Sequence, residues 1–195
     1  MSSDIPGQST PTRNIPTPDP PTRDTGDMPA PRVASPADAD GIVALRDDSA
    51  RWMLSRGNTG QWQPGEITAA DIADQAARGE WHVGEVDGEI VTAVRLIDTD
   101  PDFWGVDDRA GYVHGLMVDR RFAGHGWGEQ LLAWCAPQAR ARGHDRLRLD
   151  CVAGNRRLRE FYALQGFREV GESVLPAQFR HREVVAITLL ELLLI

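Results

Sequence analysis

The chain has 195 residues, 41% of them hydrophobic and 26% charged, ordinary values for one globular domain with a core of its own. Its formal net charge of −8 excludes the basic footprint that non-specific nucleic-acid binding requires, and it permits a cationic or amine-bearing substrate.

Cys135 and Cys151 make no disulfide framework and belong to no CxxC or Cys/His cluster. Both read as small buried hydrophobes, and no metal is expected. No stretch approaches the ~20 apolar residues needed to span a bilayer. After Met1 the N-terminus is polar and Pro-rich, unlike a signal-peptide core. The expected location is cytoplasmic, with neither nucleic acid nor membrane as partner.

Residues 1–31 read as a disordered tail. Eight prolines from Pro6 to Pro31 interrupt Ser, Thr, Asp and Gly, and such a segment has too little apolar surface to offset its ordering entropy. Residues 32–195 are the expected folded domain. Ser35-Pro36-Ala37-Asp38 predicts a helix start, with Ser as cap, Pro at the first helical position and Asp three residues after the cap. That helix runs to about Ser55, with Ile42, Leu45, Trp52 and Met53 among its apolar positions. Residues 57–65 (GNTGQWQPG) form a loop, and Thr68 opens a second helix that ends near Gly79.

The period then changes. Residues 81–86 and 89–97 read as strands joined by Asp87-Gly88, a hairpin signal. Residues 99–110 are a loop and 112–118 a strand. Residues 126–142 form a helix with Leu131, Leu132, Cys135 and Ala139 on one face and Gly143 as its stop. Residues 147–152 alternate as a strand, 155–164 make a short helix, and 167–171 and 183–190 are closing strands. The early hairpin and the late β-α-β unit give an α/β fold with a mixed sheet. The apolar terminus from Leu189 to Ile195 needs cover, from a last strand or from a second subunit of a homodimer.

Residues 120–132 (RRFAGHGWGEQLL) lie between a strand and a helix. Alternating glycines turn the backbone tightly and expose several amides together, and at a helix N-terminus those amides suit a phosphate. A flexible Gly-rich turn is the plainer alternative. A Walker loop is excluded because no Lys-Ser or Lys-Thr follows the glycines. A dinucleotide fingerprint needs GxGxxG close behind a strand. The spacing here is GxGxG, several residues separate Val118 from Gly124, and the segment follows a hairpin.

VHGLMVDRRFAGHGWGEQLL resembles the cofactor segment of the GNAT superfamily of acyl-CoA-dependent N-acyltransferases. That family's loop is Gln/Arg-x-x-Gly-x-Gly-Gly/Ala, followed by paired aliphatics. The best register runs from Ala123 to Gly128 with Leu131-Leu132 as the pair, and Ala123 stands where Gln or Arg is usual. The departure bears on one side-chain contact and leaves the amide cradle intact; Glu129 is expected to point outward. Further on, DCVAGNRRLREFYALQGF resembles the family's following strand and helix, in which an Asn opens the helix and an aromatic pair precedes Gly-Phe. Asn155, Leu158, Arg159 and Tyr162 share a helix face at i, i+3, i+4 and i+7. The implied fold is a mixed, mostly antiparallel central sheet flanked by helices, in the order β-α-α-β-β-β-α-β-α-β-β.

The resemblance implies an N-acetyltransferase that moves an acetyl group from acetyl-CoA to a primary amine of a small molecule. The amine attacks directly, with proximity and a polarised carbonyl supplying most of the rate. By position, backbone groups of Leu116, Met117 and Val118 serve the acetyl and pantetheine arm. Amides of Ala123, Gly124, His125, Gly126, Trp127 and Gly128 hold the pyrophosphate. Asn155 bonds the arm, and Tyr162 is the general acid for the departing thiolate.

His114 is the candidate base, since His has the suitable unperturbed pKa, and strand alternation puts it on a face with Leu116 and Val118. A water chain with a carboxylate such as Asp150 or Glu85 is the alternative. His82, His144 and His181 have no context that lifts them above surface residues. The acceptor site is expected from the first helix and the loops 57–65 and 99–110, with Trp52, Trp62 and Trp104 as walls or as ordinary core. Two other readings stay open, a protein amine as acceptor and a non-catalytic acyl-CoA sensor or interaction module.

Overall fold

The computed structural model describes residues 27–107, 109–176 and 186–194. Residues 1–26 of the expected tail, 183–185 of the expected last strand, His181 and Ile195 lie outside them. Met28, within the expected tail, packs against the core.

Both predicted helix starts form. Ser35 and Asp38 make a capping box on the 3-10 turn Pro36–Asp38, which leads into α1 (Ala39–Ser55). Thr68 caps α2 (Ala69–Ala77): its hydroxyl accepts from the Asp71 amide at 3.1 Å, and Asp71 accepts from the Thr68 amide at 3.0 Å. These helices bury Ile42, Leu45, Ile72 and Ala76 against Val83, Ala93 and Met117 on one face of the sheet.

The sheet has seven strands: β1 (Arg32–Val33), β2 (Trp81–Val86), β3 (Glu89–Ile97), β4 (Ala110–Val118), β5 (Arg146–Val152), β6 (Arg168–Val174) and β7 (Ala186–Leu193), in the order β1-β2-β3-β4-β5-β7-β6. Asp87 and Gly88 both have positive φ, 53° and 80°, the turn that matches strand twist in a two-residue hairpin. The segment expected as a plain loop carries one helical turn, α3 (Pro101–Trp104), opened by Pro101 and closed by an Asp100–Gly105 bridge.

On the opposite face lie α4 (Trp127–Ala141) and α5 (Arg156–Leu164), burying Leu131, Leu132, Cys135 and Tyr162 against Leu147, Leu149, Cys151 and Leu190. Cys135 and Cys151 are free buried thiols, which burial pushes up to about 12. β7 lies between β5 and β6 with Ile187 and Leu190 fully buried, while Leu193 stays 55% exposed.

Two departures from regular strand geometry shape the molecule. β4 and β5, the one parallel pair among the described residues, are bonded only through Ala110–Tyr112 and Arg146–Arg148; beyond that the two strands part. On its other side β4 carries a bulge: Ala93 pairs with Met117 but Arg95 pairs with His114, so Gly115 and Leu116 oppose Val94 alone. Gly115 has φ +55°, the left-handed geometry of a glycine bulge. The bulge overturns the expected alternation. Leu116 packs with Val113 in the α4/α5 core, while Met117 faces α1 and α2. His114 therefore does not share a face with Leu116.

Candidate active site

The parting of β4 and β5 opens a gap through the sheet. Leu147, Leu149 and Cys151 of β5 point into the α4/α5 core, so Asp150 points to the other face. There it meets His114, whose Nδ1 lies 3.9 Å from Asp150 Oδ1. On its far side His114 Nε2 lies 3.1 Å from Asp100 Oδ2, and the Phe103 ring stands 6.0 Å from the imidazole, centroid to centroid. Asp100 is only 6% exposed. His114 and Asp150, alternatives by sequence, are thus neighbours. Glu85, the other carboxylate considered, is engaged by Arg32 of β1 and takes no part. Asp100 and Phe103 escaped sequence reasoning; the Asp-Pro junction that opens α3 was their one signal. Ligating atoms of Asp100, His114 and Asp150 fall within 4.8 Å of one another. They are therefore also the group that geometry would allow to hold a cation among the described residues.

Tyr162 approaches from the opposite face, 8% exposed on α5. Burial pushes its phenol well above the ordinary tyrosine value, and the nearby Cys151 and Asp150 push it further. It holds its proton at neutral pH and is suited to give it to a strongly basic leaving group.

Asn155 uses both ends of its amide. Its Oδ1 caps α5 by accepting from the Leu158 amide at 3.1 Å, and its Nδ2 donates to Gln61 Oε1 at 3.1 Å. This second bond ties the 57–65 loop to the start of α5. A cleft of about 330 Å³ lies between them, lined by Arg56, Asn58, Thr59, Val152 and Asn155.

The Gly loop follows β4 after one 3-10 turn, Arg120–Phe122. Gly124 and Gly126 have φ of 84° and 75°. Gly126 is the N-cap of α4 and Gly128 its second residue, positions whose N–H groups an α-helix leaves without an intrahelical acceptor. The amides of Ala123 and His125 are given to the carbonyls of Arg120 and Phe122, at 3.1 and 3.3 Å. Phe122 and Trp127 stack at 4.2 Å, and His125 stands edge-on to both. The Trp127 side chain is 3% exposed, so it stiffens the loop and leaves contact with a ligand to the backbone. Both ring nitrogens of His125 are buried without a partner, and Glu129 is exposed with one carboxylate oxygen 4.0 Å from where a Cβ on Gly126 would stand.

The remaining residues divide plainly. Trp104, the last residue of α3, lies over Tyr112 and beneath the Arg148 guanidinium, 4.7 Å from its ring. Trp62 packs against the α1/α2 core with Arg46 at 5.3 Å. Trp52 lies under Arg120 at 3.9 Å, joining α1 to the approach to the Gly loop. His82 and His144 are core residues, 5% and 9% exposed, and the surface reading of them is wrong. His82 stacks on Trp134 at 4.8 Å, and His144 bonds Asp98 at 2.9 Å. Both partners are distant in sequence, which is why local context did not show them.

The profile of the acetyltransferase (GNAT) family matches residues 46–167. The chain is 32% identical over 158 residues to the uncharacterized N-acetyltransferase YesJ of Bacillus subtilis (strain 168), covering 76% of this chain and 87% of that protein. Its fold is similar to an acetyltransferase of the GNAT family from Listeria monocytogenes (TM-score 0.66, 24% identity, 84% of this chain and 94% of that one). It is also similar to yncA from Salmonella typhimurium, solved with its cofactor acetyl-CoA (TM-score 0.64, 15% identity, 85% and 94%). The chain belongs to the acetyltransferase (GNAT) family and is an acyltransferase. No helix among the described residues is long and apolar enough to cross a membrane.

Proposed function

We propose that this enzyme moves an acetyl group from acetyl-CoA to a primary amine of a small molecule, by direct attack of the amine on the thioester. The carrying observation is the gap between β4 and β5. It has a proton donor, Tyr162, on the α4/α5 side and a base, His114, beside Asp150 on the α1/α2 side. Donor and acceptor then meet from opposite faces, which supplies the orientation that direct transfer needs.

On this reading the backbone of Leu116, Met117 and Val118 lies along the acyl arm. The turn from Ala123 to Gly128 holds the pyrophosphate, through Gly126 and Gly128 at the helix start and His125 beside them. Asn155 flanks the arm while latching the 57–65 loop. The acceptor enters on the α1/α2 side, where the 57–65 loop and α3 flank His114 and Asn155. His114 takes a proton from the acceptor, and Tyr162 gives one to the thiolate of CoA.

The test is Tyr162→Phe, which keeps the ring in its core and removes the proton. Turnover should fall roughly 10²–10⁴-fold while calorimetry shows acetyl-CoA binding within about twofold of wild type. Wild-type turnover at every pH would remove Tyr162 from the mechanism.

A further inference from the structure

His114 is held by a carboxylate on each side, and the two contacts differ in kind. Asp100 Oδ2 lies 3.1 Å from Nε2, a hydrogen-bond distance. Asp150 Oδ1 lies 3.9 Å from Nδ1, too far for a direct bond. A neutral imidazole has one N–H and one lone pair, and an ionised carboxylate only accepts. On the neutral ring Asp100 therefore accepts the Nε2 proton, and the lone pair stands on Nδ1, on the side of Asp150, where one ammonium nitrogen set beside the pair can reach both.

The carrier of Asp100 fits this role. Pro101 starts α3 immediately after it, the bridge to Gly105 closes the turn, and Phe103 of the same turn lies against the imidazole. Asp100 is buried, which strengthens its bond to the ring. Among the charged groups around His114, Asp100 comes from the β3–β4 loop and Asp150 from β5. Arg95, its partner across β3, is occupied by Glu80 at 2.6 Å. Beside this pair an acceptor nitrogen meets the Nδ1 lone pair and a carboxylate oxygen, two acceptors that suit an aliphatic ammonium with its three N–H groups better than a neutral aromatic amine.

We propose that Asp100 is a positioning residue. It fixes His114 as the Nε2–H tautomer and turns Nδ1 toward Asp150, so that an aliphatic ammonium acceptor binds beside the two with its proton aimed at Nδ1. This rests on the acetyl-transfer reading. The acceptor ammonium gives one proton to Nδ1, forming an imidazolium that Asp100 stabilises. The neutral amine then forms the N–C bond as the C–S bond breaks. The thiolate takes the Tyr162 proton, the second nitrogen proton restores Tyr162, and the imidazolium proton leaves to solvent.

The deciding measurement is long-range ¹H–¹⁵N correlation NMR on full-length protein labelled at histidine, with the His114 signals assigned from His114→Gln. Wild type is expected to show Nε2 protonated and Nδ1 bare. Asp100→Asn should shift His114 toward the other tautomer, and Asp100→Glu should keep the wild-type pattern. An Nδ1–H tautomer in wild type, which requires no variant to fold, overturns the proposal. So does an unchanged tautomer in Asp100→Asn.

Kinetics separate this from the parent reading. With a primary alkylamine that wild type acetylates, Asp100→Asn should lower kcat roughly 10²–10⁴-fold with the KM for acetyl-CoA unchanged. An aniline, already neutral at assay pH, should lose far less. Equal losses with both amines count against positioning. If wild type acetylates no amine, acetyl transfer fails on its own account, while the tautomer result still decides the role of Asp100.

Discussion

Gly115 is where the fold is most exposed to a small change. Its φ of +55° disfavours any side chain, and a Cβ there would lie 2.6 Å from Cη2 and 3.1 Å from Cζ3 of Trp81. That ring has little room to yield: Trp81 is 3% exposed, and its Nε1 donates to Gln75 Oε1 at 2.8 Å. Gly115→Ala therefore carries about 1–2 kcal/mol for the left-handed backbone and about 1–3 kcal/mol for overpacking. Gly88→Ala is the matched control, with φ +80° and open space around it. It bears the backbone cost alone. Urea denaturation should separate the two by about 1–3 kcal/mol, a midpoint difference of roughly 1 M. Because the bulge also aims His114 and the backbone from Leu116 to Val118, the Gly115 variant should bind acetyl-CoA more weakly than the control. Equal destabilisation of the two proteins would refute the steric argument.

His82 predicts a pH dependence. Burial first, and the Arg142 charge second, bring it from the ordinary histidine value of 6.5 down to about 4. The unfolded chain thus takes up a proton between those pH values that the folded protein refuses. The contribution is complete above pH 6.5 and lost as pH falls through that window, a change of about 2 kcal/mol after allowance for screening. Denaturation midpoints against pH should fall less steeply for His82→Gln; parallel curves would contradict the assignment. At the α5 start, Asn155→Ala should lower stability by about 1 kcal/mol through the lost cap. Gln61→Ala removes only the latch to the 57–65 loop and should leave stability within about 0.5 kcal/mol. Both should raise the KM for acceptor, and an unchanged KM in both would show that the latch does not shape the acceptor site.

Local signals carried the parts of the fold that local chemistry decides. Asp87-Gly88 set both bounds of the hairpin because only such residues accept two positive φ values in succession, and Ser35 and Thr68 marked helix starts through their capping boxes. The closing strand is β7 (Ala186–Leu193), running further than the expected 183–190. A leucine-rich run looks alike in several registers, and the pairing of Leu147 with Leu192 on β5 decides among them. The bulge at Gly115 was not legible, since nothing in HGLMV says that its glycine turns left-handed; that shows only where the strand packs on Trp81. Asp100 was hidden for the same reason. A carboxylate in a loop becomes a partner for His114 only when the β3–β4 connection folds back over the strand. The turn ahead of α4 and the helix that carries Tyr162 were readable because their sequence signals are short and continuous.

The central claim is that acetyl-CoA binds at the start of α4, and calorimetric titration of the full-length protein with acetyl-CoA tests it most directly, alongside Gly126→Glu. The space at Gly126 is open, with no atom closer than 3.9 Å to an added Cβ, so the variant should stay folded at a cost of about 1–2 kcal/mol for the left-handed backbone. Its carboxylate would stand where the pyrophosphate belongs. Micromolar binding to wild type, lost in a folded Gly126→Glu protein, is the predicted result; equal binding by both, or none by folded wild type, would contradict the account.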